Sequence, residues 1–235
     1  MAAISQPRSA EGAAAYAAFI TANTRIAAAP LVPEIRLLLA TEITPLWTAT
    51  EVLLEETGTP PPYWAFAWPG GQALARYILD RPALVRGKAV LDFAAGCGIA
   101  AIAAAQSGAK SVAAADIDPV ACLAVAANAR LNEVGIETIV EDLTAGVADR
   151  WDVILAGDIC YERPMAELVV PWLRRCAGSA LILLADPGRA YLPQTGLEEI
   201  ATYAVPTSLE LEDREIRHTR VLRLAPAESG PILSA

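Results

Sequence analysis

The sequence predicts an open α/β fold. A mostly parallel, Rossmann-like sheet of seven strands has helices on both faces, ends in a C-terminal antiparallel hairpin and follows an N-terminal helical cover. Three features carry that expectation. From Gly87 onward, short apolar runs alternate with Ala-rich helical stretches, the rhythm of βαβ units. A glycine-bearing loop, Asp92-Phe93-Ala94-Ala95-Gly96-Cys97-Gly98, joins the first apolar run to the first of those helices. After Pro206 the pattern changes to two strand-like segments around a charged turn.

Each element has a local reason. Residues 1–86 form the cover: Glu11 to Ile26 and Pro45 to Glu56 read as helices, and Pro60-Pro61-Pro62 is a stiff connector. Residues 87–235 form the core, with parallel strands expected at Lys88–Leu91, Ser111–Ala115, Ile136–Val140, Trp151–Ala156 and Ala180–Ala185. Ile99 to Gln106 is a helix that Gly108 can end in left-handed conformation. Val120 to Leu131 is a second, with Asp118 as N-cap and Pro119 as its first residue. Thr207–Glu212 and Glu215–Leu224 complete the sheet as the hairpin. With no repeat or low-complexity tract, the whole span 1–235 reads as one domain.

Composition narrows the function classes. Apolar residues make up 54% of the 235 and charged residues 19%, enough for a large core and far from disordered or fibrous chains. Lys and Arg total 18 against 27 Asp and Glu, a net charge of −9 that disfavours tracking nucleic-acid phosphates. A protein or small-molecule partner carrying positive charge is expected instead. Cys97, Cys122, Cys160 and Cys176 form no CxxC pair, and the lone His218 leaves too few ligands for an ordinary zinc site. The thiols read as buried, free and reduced. No apolar run reaches the roughly 18 residues of a membrane span. Ala13–Ile20 is short for a signal segment and has Glu11 at its edge, so a cytoplasmic protein is expected.

Every predicted parallel strand is followed by an acid: Asp92, Asp116, Glu141-Asp142, Asp158 and Asp186. In an open α/β sheet those tips share the edge where ligands bind. Acids there also serve as turn formers, as Asp118 does beside Pro119. Gly96, Gly98 and Ala101 satisfy G-x-G-x-x-A, and Asp116 follows about twenty residues after Gly96, where a ribose-binding acid is expected. Both a dinucleotide and S-adenosylmethionine would use these residues. Asp92 separates the two, because a carboxylate beside a pyrophosphate adds like-charge repulsion. S-adenosylmethionine has no phosphate: Asp92 suits its ammonium, the helix N-terminus after Gly98 its carboxylate, and Asp116 its ribose. Ala94 stands where such loops often carry a first glycine.

With Val90–Gly98 and Ala115-Asp116-Ile117-Asp118-Pro119, the chain resembles the class I, seven-β-strand methyltransferases. Pro62-Tyr63-Trp64-Ala65-Phe66-Ala67-Trp68-Pro69-Gly70-Gly71-Gln72, Gly157-Asp158-Ile159-Cys160-Tyr161-Glu162 and Asp186-Pro187-Gly188-Arg189 narrow the likeness. They are similar to protein-lysine methyltransferases with an Asp-x-x-Tyr motif, and within these to the family acting on the electron-transfer flavoprotein β subunit, bacterial forms included. The likeness runs from about Phe19 to Arg189. It implies S-adenosylmethionine contacts at Trp68, Asp92, Gly96, Gly98, Asp116, Asp142 and Asp158, with Gln72 a weaker contact and Asp142 or its backbone facing the adenine. Asp158 and Tyr161 are implied as the lysine pocket.

Those residues support in-line methyl transfer to a neutral lysine amine, with no metal. Asp158-Ile159-Cys160-Tyr161 lacks the Pro-Pro of motifs typical of methylation at base amino groups. Asp186 and Arg189 read either as an ion pair or as part of the site, and His218 as an exposed hairpin residue. Alternative functions are methylation of another protein, such as a ribosomal one, or of a small amine. A catalytically silent S-adenosylmethionine-binding protein and a nicotinamide dehydrogenase are the readings from other classes.

Overall fold

A computed structural model describes residues 10–40, 61–146, 149–209 and 212–226. The expected helix Pro45–Glu56 lies outside the described residues. The elements are α1 (Ala10–Asn23), β1 (Arg25–Ala29), β2 (Val32–Leu39), α2 (Pro69–Asp80), β3 (Ala89–Phe93), α3 (Ile99–Gln106) and β4 (Ser111–Asp116). They continue with α4 (Pro119–Leu131), β5 (Glu137–Val140), β6 (Val153–Gly157), α5 (Arg163–Cys176), β7 (Leu181–Asp186), β8 (Leu197–Pro206) and β9 (Ile216–Leu224). No helix among the described residues is long and apolar enough to cross a membrane.

The main sheet has seven strands in the order β5-β4-β3-β6-β7-β9-β8. The first five are parallel, β9 runs antiparallel to β7, and β8 antiparallel to β9. The chain leaves β3 toward β4 and β5, then returns to place β6 on the other side of β3. That reversal opens a crevice at the carboxyl ends of β3, β4 and β6.

Period-two burial explains why the strands are apolar throughout. Val90, Val112, Ala114, Val153, Leu155, Leu183 and Ala185 face one core, with α2, α3 and the β1–β2 hairpin. Leu91, Phe93, Ala113, Ala115, Ile154, Ala156, Ile182 and Leu184 face the other, under α5. A sheet buried on both faces needs no polar alternation. Two signals at helix ends are realised as read: Asp118 accepts from Val120 N–H at 2.8 Å with Pro119 in the first turn, and Gly108 takes φ +87° after α3.

Several elements depart from the sequence reading. The helix expected over Glu11–Ile26 stops at Asn23, and Arg25–Ala29 pairs with Val32–Leu39 around Pro30-Leu31, so the cover holds a hairpin as well as helices. Burial of Val32, Ile35 and Leu37 overrides the helical leaning of the Ala run. The first C-terminal hairpin strand is Leu197–Pro206, not Thr207–Glu212. Pro206 ends the strand without cost because β8 is the sheet's edge, while Glu212 turns inward as a buried ion-pair anchor. Helices α2 and α5 were not separately anticipated; both start with proline in the first turn.

The cover is tied to the core by asparagines. Asn128 Oδ1 accepts from Leu38 N–H at 2.8 Å and its Nδ2 donates to Cys97 O at 2.9 Å, linking β2, α4 and the glycine loop. Asn132 Oδ1 accepts from Arg36 N–H at 3.0 Å. Asn128 is fully buried, and these hydrogen bonds satisfy its amide there.

Candidate functional site

The glycine loop turns sharply out of β3. Ala94, Gly96 and Gly98 take φ of +54°, +53° and +75°. A side chain at Gly98 would press Val125 at 3.0 Å, so that glycine serves packing. A side chain at Gly96 would meet nothing within 4 Å, so the loop faces open space there. Asp116, the last residue of β4, borders that space: its Oδ2 accepts from Gly96 N–H at 3.1 Å and its Oδ1 from Asp118 N–H at 3.0 Å.

Asp92 lies within β3 rather than after it, side chain toward α3, and its Oδ2 accepts from Ala101 N–H at 2.9 Å. Burial pushes its carboxyl up to about 8, and the Asp116 charge adds to that against the Ala101 hydrogen bond. Asp116 is likewise raised by burial. Cys97 lies in the field of both Asp92 and Asp158; burial first, then those charges, push its thiol up to about 12. Asp92, Asp116 and Asp158, at the carboxyl ends of β3, β4 and β6, are thus desolvated carboxyls among which extra negative charge is costly. An open cradle beside crowded carboxyls fits S-adenosylmethionine, with its sulfonium and ammonium, and does not fit a pyrophosphate.

Asp158 follows β6 with φ +55°, and its side chain is only 13% exposed. Its Oδ2 accepts from Gly70 N–H at 2.6 Å and from Gly71 N–H at 3.3 Å, capping α2. Its Oδ1 is buried without a hydrogen bond, 3.5 Å from Arg189 Nη2. Burial pushes the carboxyl up to about 7; Arg189 opposes this, and Asp186 and Glu212 add to it. In the Asp-x-x-Tyr segment, Ile159 and Cys160 are buried in the core under α5, Asp158 turns to the start of α2, and Tyr161 is exposed.

Aromatic rings border the other side. Tyr161 meets Tyr63 edge-on with centroids 5.6 Å apart, and Tyr63 meets Trp68 at 6.0 Å. Phe66 also packs on Trp68 at 6.0 Å, and the indole N–H donates to Tyr63 O at 2.8 Å. Trp68 therefore stands half-buried between the cover and the site. Burial raises the Tyr161 phenol above its ordinary range, with the Tyr63, Glu162 and Asp116 charges adding to it, so it stays protonated at neutral pH.

The remaining sequence candidates divide. Gln72 is spent on the chain: Nε2 donates to Ala67 O at 2.7 Å and Oε1 accepts from Leu31 N–H at 3.3 Å. Asp142 caps a helical turn, accepting from Thr144 N–H at 2.9 Å, and borders a cavity of about 420 Å³ with Trp151 and Trp172. Asp186 accepts from Gly188 and Arg189 N–H at 2.7 and 2.6 Å. His218 is exposed on β9 and all four cysteines are buried and free. Tyr63, Gly70, Gly157 and Glu212 were missed as site-forming residues. The Trp-Pro-Gly-Gly run marked Gly70, but nothing local marked Glu212.

The chain is 38% identical over 213 residues to the electron transfer flavoprotein beta subunit lysine methyltransferase of Danio rerio, covering 87% of this chain and 81% of that protein. It is 36% identical over 217 residues to the Homo sapiens protein of the same name, covering 89% and 82%. The chain belongs to the electron transfer flavoprotein beta subunit lysine methyltransferase family. The profile of the ribosomal protein L11 methyltransferase (PrmA) family matches residues 73–186, which run from α2 to the end of β7. Among solved structures, magnesium protoporphyrin IX methyltransferase from Synechocystis PCC 6803 with bound SAM has the same fold at TM-score 0.51 and 17% identity, covering 67% of this chain and 79% of that one. The likeness to this lysine methyltransferase family spans 213 residues, well beyond the PrmA match over residues 73–186.

Proposed function

We propose that the chain transfers methyl groups from S-adenosylmethionine to a lysine of a protein, the β subunit of electron-transfer flavoprotein, from a cytoplasmic setting and as a single domain. The buried, uphill-shifted carboxyls of Asp92, Asp116 and Asp158 carry this reading: together they favour a ligand and a substrate that both bring positive charge. When bound, S-adenosylmethionine supplies a methyl group on a sulfonium, already an excellent leaving group. The chain's work is then positioning and exclusion of water.

Asp92 faces the ammonium end, Asp116 the ribose hydroxyls, Asp142 or its backbone the adenine, and the Gly96–Gly98 turn lets the backbone approach closely. Trp68 covers the cofactor, held by its hydrogen bond to Tyr63, while Gln72 positions the Trp68 loop. Asp158 holds the lysine ammonium on entry, and the neutral Tyr161 phenol aligns the amine after proton loss. Making that amine neutral at pH 7 costs about 4–5 kcal/mol from a free pKa near 10.4. Desolvation under the aromatic wall lowers that cost.

Labelled S-adenosylmethionine offered with the flavoprotein, ribosomal proteins and small amines in parallel tests the assignment. Label on a flavoprotein β-subunit lysine is the expected outcome. Label on ribosomal proteins or small amines alone would overturn the substrate, and no transfer to any acceptor would overturn the enzyme. Asp158→Asn keeps an oxygen for Gly70 N–H while removing the charge; it should fold and lose at least 100-fold in transfer.

A further inference from the structure

We infer that Arg189 is a positioning residue for Asp158, held off it by Glu212 of the β8–β9 connection, so that the C-terminal hairpin sets the charge of the substrate-facing carboxylate. This rests on the methyl-transfer reading above and adds a residue to it.

The geometry is that of a cation kept at arm's length. Arg189 Nη1 donates to Glu212 Oε2 at 3.2 Å and Nη2 to Glu212 Oε1, a bidentate fork that fixes the guanidinium plane. Asp186, at the tip of β7, accepts from the Arg189 backbone N–H and fixes the residue's start. Glu212 is 2% exposed at its side chain and is itself held by Arg217, whose Nε and Nη2 donate to Oε2 at 3.0 and 2.8 Å. From this clamp, Arg189 Nη2 reaches to 3.5 Å from Asp158 Oδ1 and stops short of a hydrogen bond. At that separation its charge favours the ionised carboxylate while the buried Oδ1 keeps its lone pairs free of any hydrogen bond. Without Glu212, nothing in this arrangement would keep the fork from closing on Asp158.

The other groups facing Asp158 make the cation necessary. Asp186 from β7 and Glu212 from the hairpin connection are like charges, and Cys97 from the glycine loop and Cys160 from its own turn are buried neutral thiols. Among the described residues, the Gly70 and Gly71 N–H groups of α2 join Arg189 in favouring ionisation, and they act on Oδ2.

The test compares wild type, Arg189→Gln and Arg189→Lys. Arg217 still pairs with Glu212 in both variants, so the hairpin keeps its anchor. Asp158 is titrated directly by NMR of ¹³C-carboxyl-labelled aspartate, assigned with Asp158→Asn. The expected midpoint rises by at least one pH unit in Arg189→Gln and returns to within half a unit in Arg189→Lys. In parallel, kcat/KM for the protein substrate at saturating S-adenosylmethionine is followed from pH 5.5 to 9, a window below the free lysine's own titration. Arg189→Gln should lose about sevenfold or more at pH 6.5 yet stay within about threefold at pH 9. An unmoved midpoint, an equal shift in the lysine variant, or a loss uniform across pH would reduce Arg189 to a scaffold residue. A wild type that methylates nothing would instead remove the methyl-transfer reading, and the NMR arm would still decide whether Arg189 sets the Asp158 charge.

Discussion

Asp158 Oδ2 lies 2.6 Å from Gly70 N, so the carboxylate at the tip of β6 caps the first turn of α2. This bond, with a longer one from Gly71 N–H, joins the Trp-Pro-Gly-Gly run to the Asp-x-x-Tyr run, two segments 88 residues apart. Glycine on both sides makes the approach possible. A side chain at Gly70 would meet Asp158 Oδ2 at 2.5 Å and Ala185 O at 2.6 Å, and one at Gly157 would meet Gly71 N at 2.8 Å.

Gly70→Ala should therefore force backbone apart and cost about 3 kcal/mol or more. Gly71→Ala meets only Ile99 Cγ2, at 3.1 Å and with no backbone atom in the way, and should cost about 1 kcal/mol. Urea denaturation of the pair separates them. Equal losses would show that α2 does not rest on the β6 tip.

Ala94→Gly tests the departure in the glycine loop. Ala94 holds φ +54°, a conformation that costs an L-residue about 1–2 kcal/mol. Glycine removes that strain but adds about 0.4–1 kcal/mol of unfolded-state entropy. A net gain of about 0.5 kcal/mol is expected in thermal unfolding, with S-adenosylmethionine affinity unchanged; a loss of stability would place Ala94 outside the left-handed region.

Removing Glu212 should be severe. Glu212→Ala removes the anion that Arg189 and Arg217 share in a partly buried site, and breaking one partner of such a network costs about 3–5 kcal/mol. Chemical denaturation measures it. A loss below about 1 kcal/mol would mean that solvent screens both guanidinium groups.

Stability should fall as pH rises through the neutral range. Asp92 has a folded pKa of about 8 against an unfolded value near 3.9, so the folded state binds the extra proton between those values. The folded chain is thus favoured at the acid end of the window and loses that advantage from about pH 4 to pH 8. Asp118 and Asp158, each raised to about 7 by burial, act in the same direction. Asp92→Asn keeps an acceptor for Ala101 N–H and should flatten the slope between pH 6 and 8, stabilise the cofactor-free chain by about 1–3 kcal/mol at pH 8, and weaken S-adenosylmethionine binding at least tenfold. Scanning calorimetry at pH 6, 7 and 8 checks the slope; an unchanged slope would mean that Asp92 titrates normally.

The sequence by itself determined the features that are local in the chain. The five parallel strands follow from apolar runs short enough to be strands. Asp118 with Pro119 wrote one helix start, Gly108 wrote one helix end, and the acids at strand ends marked the reactive edge, because each depends on residues within a few positions. The tertiary structure decided what depends on distant partners. Arg25–Ala29 became a strand because Val32, Ile35 and Leu37 needed burial. Thr207–Glu212 lost its strand because Glu212 found two arginines. Gln72 turned to Ala67 and Leu31, and Arg189 came within 3.5 Å of Asp158, only once α2, β7 and the hairpin were packed together. Dihedral preferences and apolar spacing are properties of neighbouring residues, whereas the charge state of a buried carboxyl belongs to whatever the fold brings beside it.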